Sequence, residues 1–293
     1  MLRQPPKRDA ASNKYVVELD GVFAGWLADV AGATVCGDVE TGPSGRRYSR
    51  RDEIVCRCWP GMPQPFYAWI ERSFGDPPLA SDGAIALVDP DGQQLSRMLW
   101  QEGVITSFTV PTTDADSRDA AKVSLTLSPT STRHTHRRAQ RIPDGALERR
   151  EPSPASDLRL EIDGLAEECH FIRRTEALTI SQGIDFAPGR GLFREGPVVA
   201  SALAVILPES RATGFYQWKR RMGPDAVSQR IATVTFGTPE VGFSVVLHNL
   251  RLLEVTPLEG PTPGEGEGPQ RPRRDVRAVM AASSVGFVFL PGN

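Results

Sequence analysis

The 293-residue sequence is poor in lysine, histidine, tyrosine and cysteine, with four of each. Four cysteines in a chain of this length do not make a disulfide scaffold, so free thiols of a reducing cytosol are expected. Catalytic motifs are missing as well. There is no Gly-x-Ser-x-Gly elbow, no His-Glu-x-x-His and no Gly-rich phosphate loop with a lysine. Gly189-Arg190-Gly191 is followed by no helix start and is not a nucleotide fingerprint, and no carboxylate pair stands out as a glycosidase couple. Long apolar runs are absent too. The longest, Val198 to Leu207, is fenced by Pro197 and Pro208 and falls far short of the roughly 20 residues that span a bilayer. Met1 to Lys14 is charged and lacks an apolar core, so it does not read as a secretory signal. A net charge of −2 excludes a polycation built for duplex DNA. No enzymatic activity, cofactor, metal or membrane span is expected.

What is present suffices for a folded protein. Hydrophobic residues make up 40%, which excludes a wholly disordered chain, and the length fits one large or two modest cores. Self-similarity then decides the organisation. Val17-Glu18-Leu19-Asp20-Gly21-Val22 returns 143 residues later as Leu160-Glu161-Ile162-Asp163-Gly164-Leu165. Both read as a strand with outward carboxylates ended by an Asp-Gly turn. At an offset of 149, Phe66-Tyr67-Ala68-Trp69 becomes Phe215-Tyr216-Gln217-Trp218, with Arg72 matched by Arg221. Two anchors in the same order at nearly one offset indicate two copies of one domain.

Each second anchor reads as a short helix. Phe66, Trp69 and Ile70 form one apolar stripe at i, i+3 and i+4, and Phe215, Trp218 and Met222 repeat it. Pro65 suits the first turn and Gly75 a left-handed C-terminal position. These aromatics read as helix core rather than a ligand box. Ala84 to Val88 and Gln94 to Trp100 flank the turn Asp89-Pro90-Asp91-Gly92 as a hairpin. Ile231 to Phe236 and Phe243 to Asn249 do the same in the second copy. Lys122 to Ser128 is an alternating strand, matched by Val276 to Ala282 or Val285 to Leu290. The expected fold is mainly β: two tandem small barrels or sandwiches, each with one short helix. Residues 1–14 form an N-terminal extension, 15–130 copy one, 131–156 a basic Pro/Ser/Arg linker and 157–293 copy two. A Gly/Pro/Glu-rich insertion occupies 256–274.

This order of parts (strand ending Asp-Gly, long polar hairpin, aromatic short helix, hairpin with a polar turn, final alternating strand) resembles the tail-tube family of contractile phages, contractile injection systems and type VI secretion tubes. Val17 to Val22, Phe66 to Ile70, Ile85 to Gly92 and Trp100-Gln101-Glu102-Gly103 carry the resemblance in copy one. Leu160 to Leu165, Arg190-Gly191-Leu192, Phe215 to Trp218 and His248-Asn249-Leu250 carry it in copy two. The resemblance implies a six-stranded barrel closed on one side by a helix, with a long hairpin reaching neighbouring subunits and six barrels ringing a channel. Tandem barrels resemble the hub proteins at the tail tip, so three chains forming a pseudo-hexamer and six chains forming a double ring are both open. The implied partners are sister chains and tube, baseplate or spike proteins, with nucleic acid only as channel cargo. Assembly would be cytoplasmic, ahead of incorporation into the particle. Arg46, Arg47, Arg50, Arg51, Arg190 and Arg194 are the candidates for an oligomer interface or a channel lining, where a guanidinium fork suits carboxylates.

Two further clusters have plainer readings. Cys56 and Cys58 share a strand face and could meet Cys36, with His134 or His136 as a fourth zinc ligand, but Cys-x-x-Cys knuckles are lacking and packing thiols are favoured. The run around His134-Thr135-His136 reads as a solvated basic linker. Two alternatives of other classes remain: a two-domain β-sandwich that binds carbohydrate or protein through exposed aromatics, and a tail-associated hydrolase.

Overall fold

The structure, a computed structural model, describes residues 14–32, 39–41, 47–49, 53–90, 92–115, 122–135, 158–187, 191–221, 230–238, 241–258 and 274–290. The first half runs β1 (Lys14–Leu19), β2 (Val22–Gly32), β3 (Val39–Thr41), β4 (Arg47–Ser49), β5 (Ile54–Cys58) and helix α1 (Gln64–Phe74). It continues with β6 (Ser81–Val88), β7 (Gln94–Val110), β8 (Thr113–Asp114), β9 (Val123–Ser128) and β10 (Ser131–Thr135). The second half opens with β11 (Leu158–Ile162), α2 (Ala166–Cys169), β12 (Arg174–Thr175), β13 (Leu178–Ala187), β14 (Gly191–Ala200) and β15 (Leu203–Pro208). Helix α3 (Thr213–Arg221), β16 (Arg230–Thr238), β17 (Val241–Pro257), β18 (Asp275–Ala281) and β19 (Ser284–Leu290) complete it.

Alternating apolar residues in the first half close a barrel. β1 pairs with β2 and β6, β2 with β5, β5 with β9, and β9 and β6 both with β7. The antiparallel ring β1-β2-β5-β9-β7-β6 therefore closes on itself, although β7 is longer than the ring uses. Leu19, Ile54, Cys56, Cys58, Ile85, Trp100, Leu125 and Leu127 fill it. The second half repeats the order as β11-β16-β17-β18-β15-β12, and among the described residues β11 and β12 do not pair to close it. Asp20-Gly21 supplies two positive-φ residues for the β1–β2 turn (φ 50° and 80°), whereas Asp163-Gly164 leads into α2. The protein is thus two tandem barrel-like domains, with an additional helical turn in the second.

One strand in each half sets the geometry. The hairpin strands expected to stop at Trp100 and Asn249 both run on to 17 residues. Each holds one non-glycine residue in the left-handed region, Glu102 (φ 46°) in β7 and Asn249 (φ 52°) in β17, 147 positions apart. Each also has a bulge at the same spacing, between Ile105 and Ser107 and between Leu252 and Glu254. A bulge bends its strand and sharpens the twist, so each long strand serves two stretches of sheet. The front of β7 pairs with β6 and β10 and its rear with β9; β17 does likewise with β16, β19 and β18.

Two expectations are corrected here. The linker assigned to 131–156 begins with strand β10, because Arg97–Gln101 of β7 offers an edge to which Ser131–Thr135 pair. Gly75 is not left-handed but extended (φ −64°, ψ 172°), for a reason given below. The helix stripes are core: Phe66, Trp69, Ile70, Phe215 and Trp218 are each at most 1% exposed. Met222 lies outside the described residues.

Trp100 stacks on Trp69 at 6.0 Å and donates its Nε1–H to the Ser81 carbonyl at 3.0 Å. A Cβ on Gly83 would sit 2.1 Å from the Trp100 ring and 2.6 Å from the Glu18 carbonyl oxygen. Gly83→Ala should therefore lower stability by about 1–3 kcal/mol through overpacking, read as a shifted midpoint in equilibrium denaturation; an unchanged midpoint would show that this contact does not constrain the barrel.

Candidate assembly interface

The barrel of the first half leaves one stretch of β7 with an edge to spare. β9 takes one side of its rear portion. The other side takes β13 from the second half, with Ser107, Phe108, Thr109 and Val110 opposite Ser181, Ile180, Thr179 and Leu178. Thr109 and Thr179 join their hydroxyls at 3.0 Å across this pair. β13 and β14 form a long hairpin, so the second half lends the first two strands and extends its sheet to nine. A smaller stitch pairs β8 with β12, and the Ala115 N–H donates to the Arg173 carbonyl at 2.7 Å.

Polar side chains from the hairpin then secure the end of α1. Gln182 is buried and its Nε2 donates to the carbonyls of Ser73 and Ile105, both at 2.7 Å. Arg194 on β14 donates through Nε to Gln182 Oε1 at 2.7 Å and through Nη2 to the Gly75 carbonyl. A helix ends with orphan carbonyls that a left-handed glycine commonly helps to satisfy. Here the Arg72 carbonyl accepts from the Gly75 and Leu79 N–H groups, the Ser73 carbonyl accepts from Gln182 of the other half, and Gly75 is extended.

Aromatic packing makes the joint apolar as well. Tyr67 of α1 stacks on Phe243 of β17 at 4.8 Å, and Phe74 on Phe287 of β19 at 4.9 Å. Phe108 of β7 meets Phe236, Phe243 and Phe287 edge-on at 6.4, 5.8 and 6.3 Å. Such ring pairs contribute about 0.5–1.5 kcal/mol each beyond their buried area. Buried residues of both halves form one continuous cluster, so the two domains share a core.

Of the arginines singled out from the sequence, only Arg194 has a described side chain, and it lies at this joint between the halves. Arg47 lies on β4, while Arg46, Arg50, Arg51 and Arg190 fall outside the described residues. Cys56 and Cys58 are buried thiols of the barrel interior. Burial pushes Cys56 up to about 12 and Cys58 well above its ordinary value, which keeps both as unreactive thiols. Cys36 and His136 fall outside the described residues, and among those described no three metal-binding side chains converge. Glu18, in a shallow concavity on the outer sheet face, is ion-paired to Arg97. Sequence reading missed Gln182, Phe108, Phe243 and Phe287. Their signal was the strand alternation itself, which marks an inward face without saying whose core it meets.

No protein-family model matches the chain, and no curated protein matches it. Among solved structures it is similar to Hcp1 from Flavobacterium johnsoniae, at 15% identity and a TM-score of 0.31, over 43% of this chain and 98% of that one. It is also similar to a chain of the PVC sheath–tube complex, an extracellular contractile injection system, in the extended state. That likeness has 20% identity and a TM-score of 0.35, over 45% of this chain and 94% of the other.

Removing the amide of Gln182 should leave two buried carbonyls unpaired. Gln182→Leu is expected to cost about 1–3 kcal/mol and Phe108→Ala about 3–5 kcal/mol. Because the core is shared, each variant should unfold in a single transition; separate melting of the halves in calorimetry would contradict the joint. Arg277 hydrogen-bonds Glu176 at 2.6 and 2.7 Å and holds its carboxyl below the ordinary 4.5. A carboxyl lowered on folding adds stability above its unfolded value and loses it as pH falls through the folded value. Glu176→Gln should be less stable than wild type at neutral pH and converge with it below pH 4.5; a gap that persists in acid would refute the linkage.

Proposed function

We propose that the chain is a structural subunit of a phage-tail-like particle or contractile injection system. Copies join through sheet edges into a ring of barrels around a central channel. The ring forms part of the inner tube or its junction with the baseplate or spike hub. The observation that carries this reading is the joint between the halves: one barrel domain completes the sheet of the next with a donated hairpin. A donor hairpin and an acceptor edge on successive domains are the parts a head-to-tail ring needs. Matching 17-residue strands with bulges at one spacing support a duplicated domain.

The role is mechanical rather than enzymatic. Its partners are sister chains, as a trimeric pseudo-hexamer or a hexamer, together with tube, baseplate or spike proteins. Nucleic acid would enter only as channel cargo, and assembly in the cytoplasm would precede incorporation into the particle. The rival carbohydrate- or protein-binding reading needs exposed aromatic platforms, but Trp69 and Trp218 are each 1% exposed. Electron microscopy of the purified chain should show rings of three or six copies with a central hole. A persistent monomer in mass photometry and concentrated-solution scattering would overturn the proposal.

A further inference from the structure

The second barrel lacks a wall that the first one has. In the first half β2 pairs with β1, with Gly25 opposite Val17 and Leu27 opposite Tyr15. In the second half the chain turns aside at this point. Val30 of β2 lies opposite Cys56 as Thr175 of β12 lies opposite Val205, so the stretch in line to face β11 ends near Ile172. Helix α2 and the turns after it occupy that stretch. The N–H groups of Cys169, Phe171 and Ile172 donate to the Leu165, Glu168 and Cys169 carbonyls. They are spent locally, and among the described residues β11 pairs with β16 alone.

Ladder geometry fixes what β11 presents on its other side. The Asp163 N–H donates to the Ile231 carbonyl at 2.9 Å. Backbone groups of a strand alternate between its two neighbours, so Arg159 and Glu161 also face β16, while Leu158, Leu160 and Ile162 face away. Ile162 is provided for: its N–H goes to the Cys169 thiol, and its carbonyl accepts from the Leu165 N–H at 2.9 Å. Leu160 is only 9% exposed, and its N–H and carbonyl find no partner among the described residues. Backbone groups removed from water are costly to leave unpaired. They border a slot of about 280 Å³. Leu158 and Leu160 form one side, Cys169 and Ile172 the other, and the opposed residues Asp114 and Arg174 close its end.

We propose that this slot binds a short extended segment of another protein, which adds to β11 as β2 adds to β1 and turns apolar side chains toward the barrel interior. The first barrel shows the kind of occupant, because a strand fills the same place there. A slot walled on both sides admits only a segment not already held in a sheet. Every described strand of this chain is so held, which favours a separate partner over a sister copy. Leu160 supplies the backbone hydrogen bonds, and Leu158, Cys169 and Ile172 supply the apolar contact. Binding here does not depend on ring formation.

The probe is a fluorescein-labelled peptide with the sequence of β2, Val22 to Gly32, offered to the full-length chain. Anisotropy should show saturable binding. Hydrogen exchange should show a Leu160 amide that is fast in the free chain and slowed when the peptide is bound. Leu158→Pro removes an N–H that faces the slot, at the first residue of a strand, where proline is accepted. It should weaken binding about three- to tenfold, as loss of one hydrogen bond does. Ile172→Trp fills the slot and should abolish binding. A single unfolding transition in calorimetry shows that each variant folds. No saturable binding to wild type, or full binding by both folded variants, would overturn the proposal. A Leu160 amide already protected in the free chain would mean that the chain fills its own slot. Protection on assembly without peptide would mean that a sister copy fills it. Either result would overturn the separate partner. None of these readouts requires a ring, so the ring reading stands or falls apart from them.

Discussion

The rear edge of β7 is the constraint from which the rest follows. Every strand carries hydrogen-bonding groups along two edges, and both must find partners if the strand is to be buried. β9 satisfies one edge from within the first barrel. The other faces outward, and Leu178–Ser181 of the second half fill it. Once that pairing is made, Gln182 and Arg194 reach the end of α1, and the rings of Tyr67, Phe74 and Phe108 close on Phe243 and Phe287. Hydrogen bonds, helix capping and apolar packing all act on the same joint, so the halves behave as one body.

The joint has a direction, because its donor hairpin and its acceptor edge are different surfaces. The second half gives its hairpin backward to the first, while its own β17 keeps an edge that no described strand covers. A contact between unlike surfaces repeats from copy to copy until rotation closes it into a ring or leaves it open as a filament.

Short-range features were legible in the sequence because their cause is local. The Phe66-Trp69-Ile70 stripe announced α1, and its echo at Phe215 and Trp218 announced α3. The Asp-Gly and Asp-Pro-Asp-Gly turns placed the hairpins, and the order of parts gave two tandem small barrels. Less legible was anything decided between distant segments. Gln101-Glu102-Gly103 reads as the end of a strand, yet Glu102 takes a left-handed conformation that bends β7 without ending it. Ser131–Thr135 reads as polar linker and becomes a strand because β7 offers an edge. Gly75 reads as a left-handed cap, but it is extended, with its carbonyl held by Arg194 and the neighbouring Ser73 carbonyl by Gln182, both more than a hundred positions along the chain. In each case a partner from elsewhere in the fold overrides the local preference.

Hydrogen exchange of the assembled particle against the isolated chain tests the central claim most directly. The account predicts that the Val255 amide, on the edge away from β18, gains protection on assembly, while those of Ser107–Val110, already paired within the chain, change little. Equal exchange of Val255 in both states would contradict it.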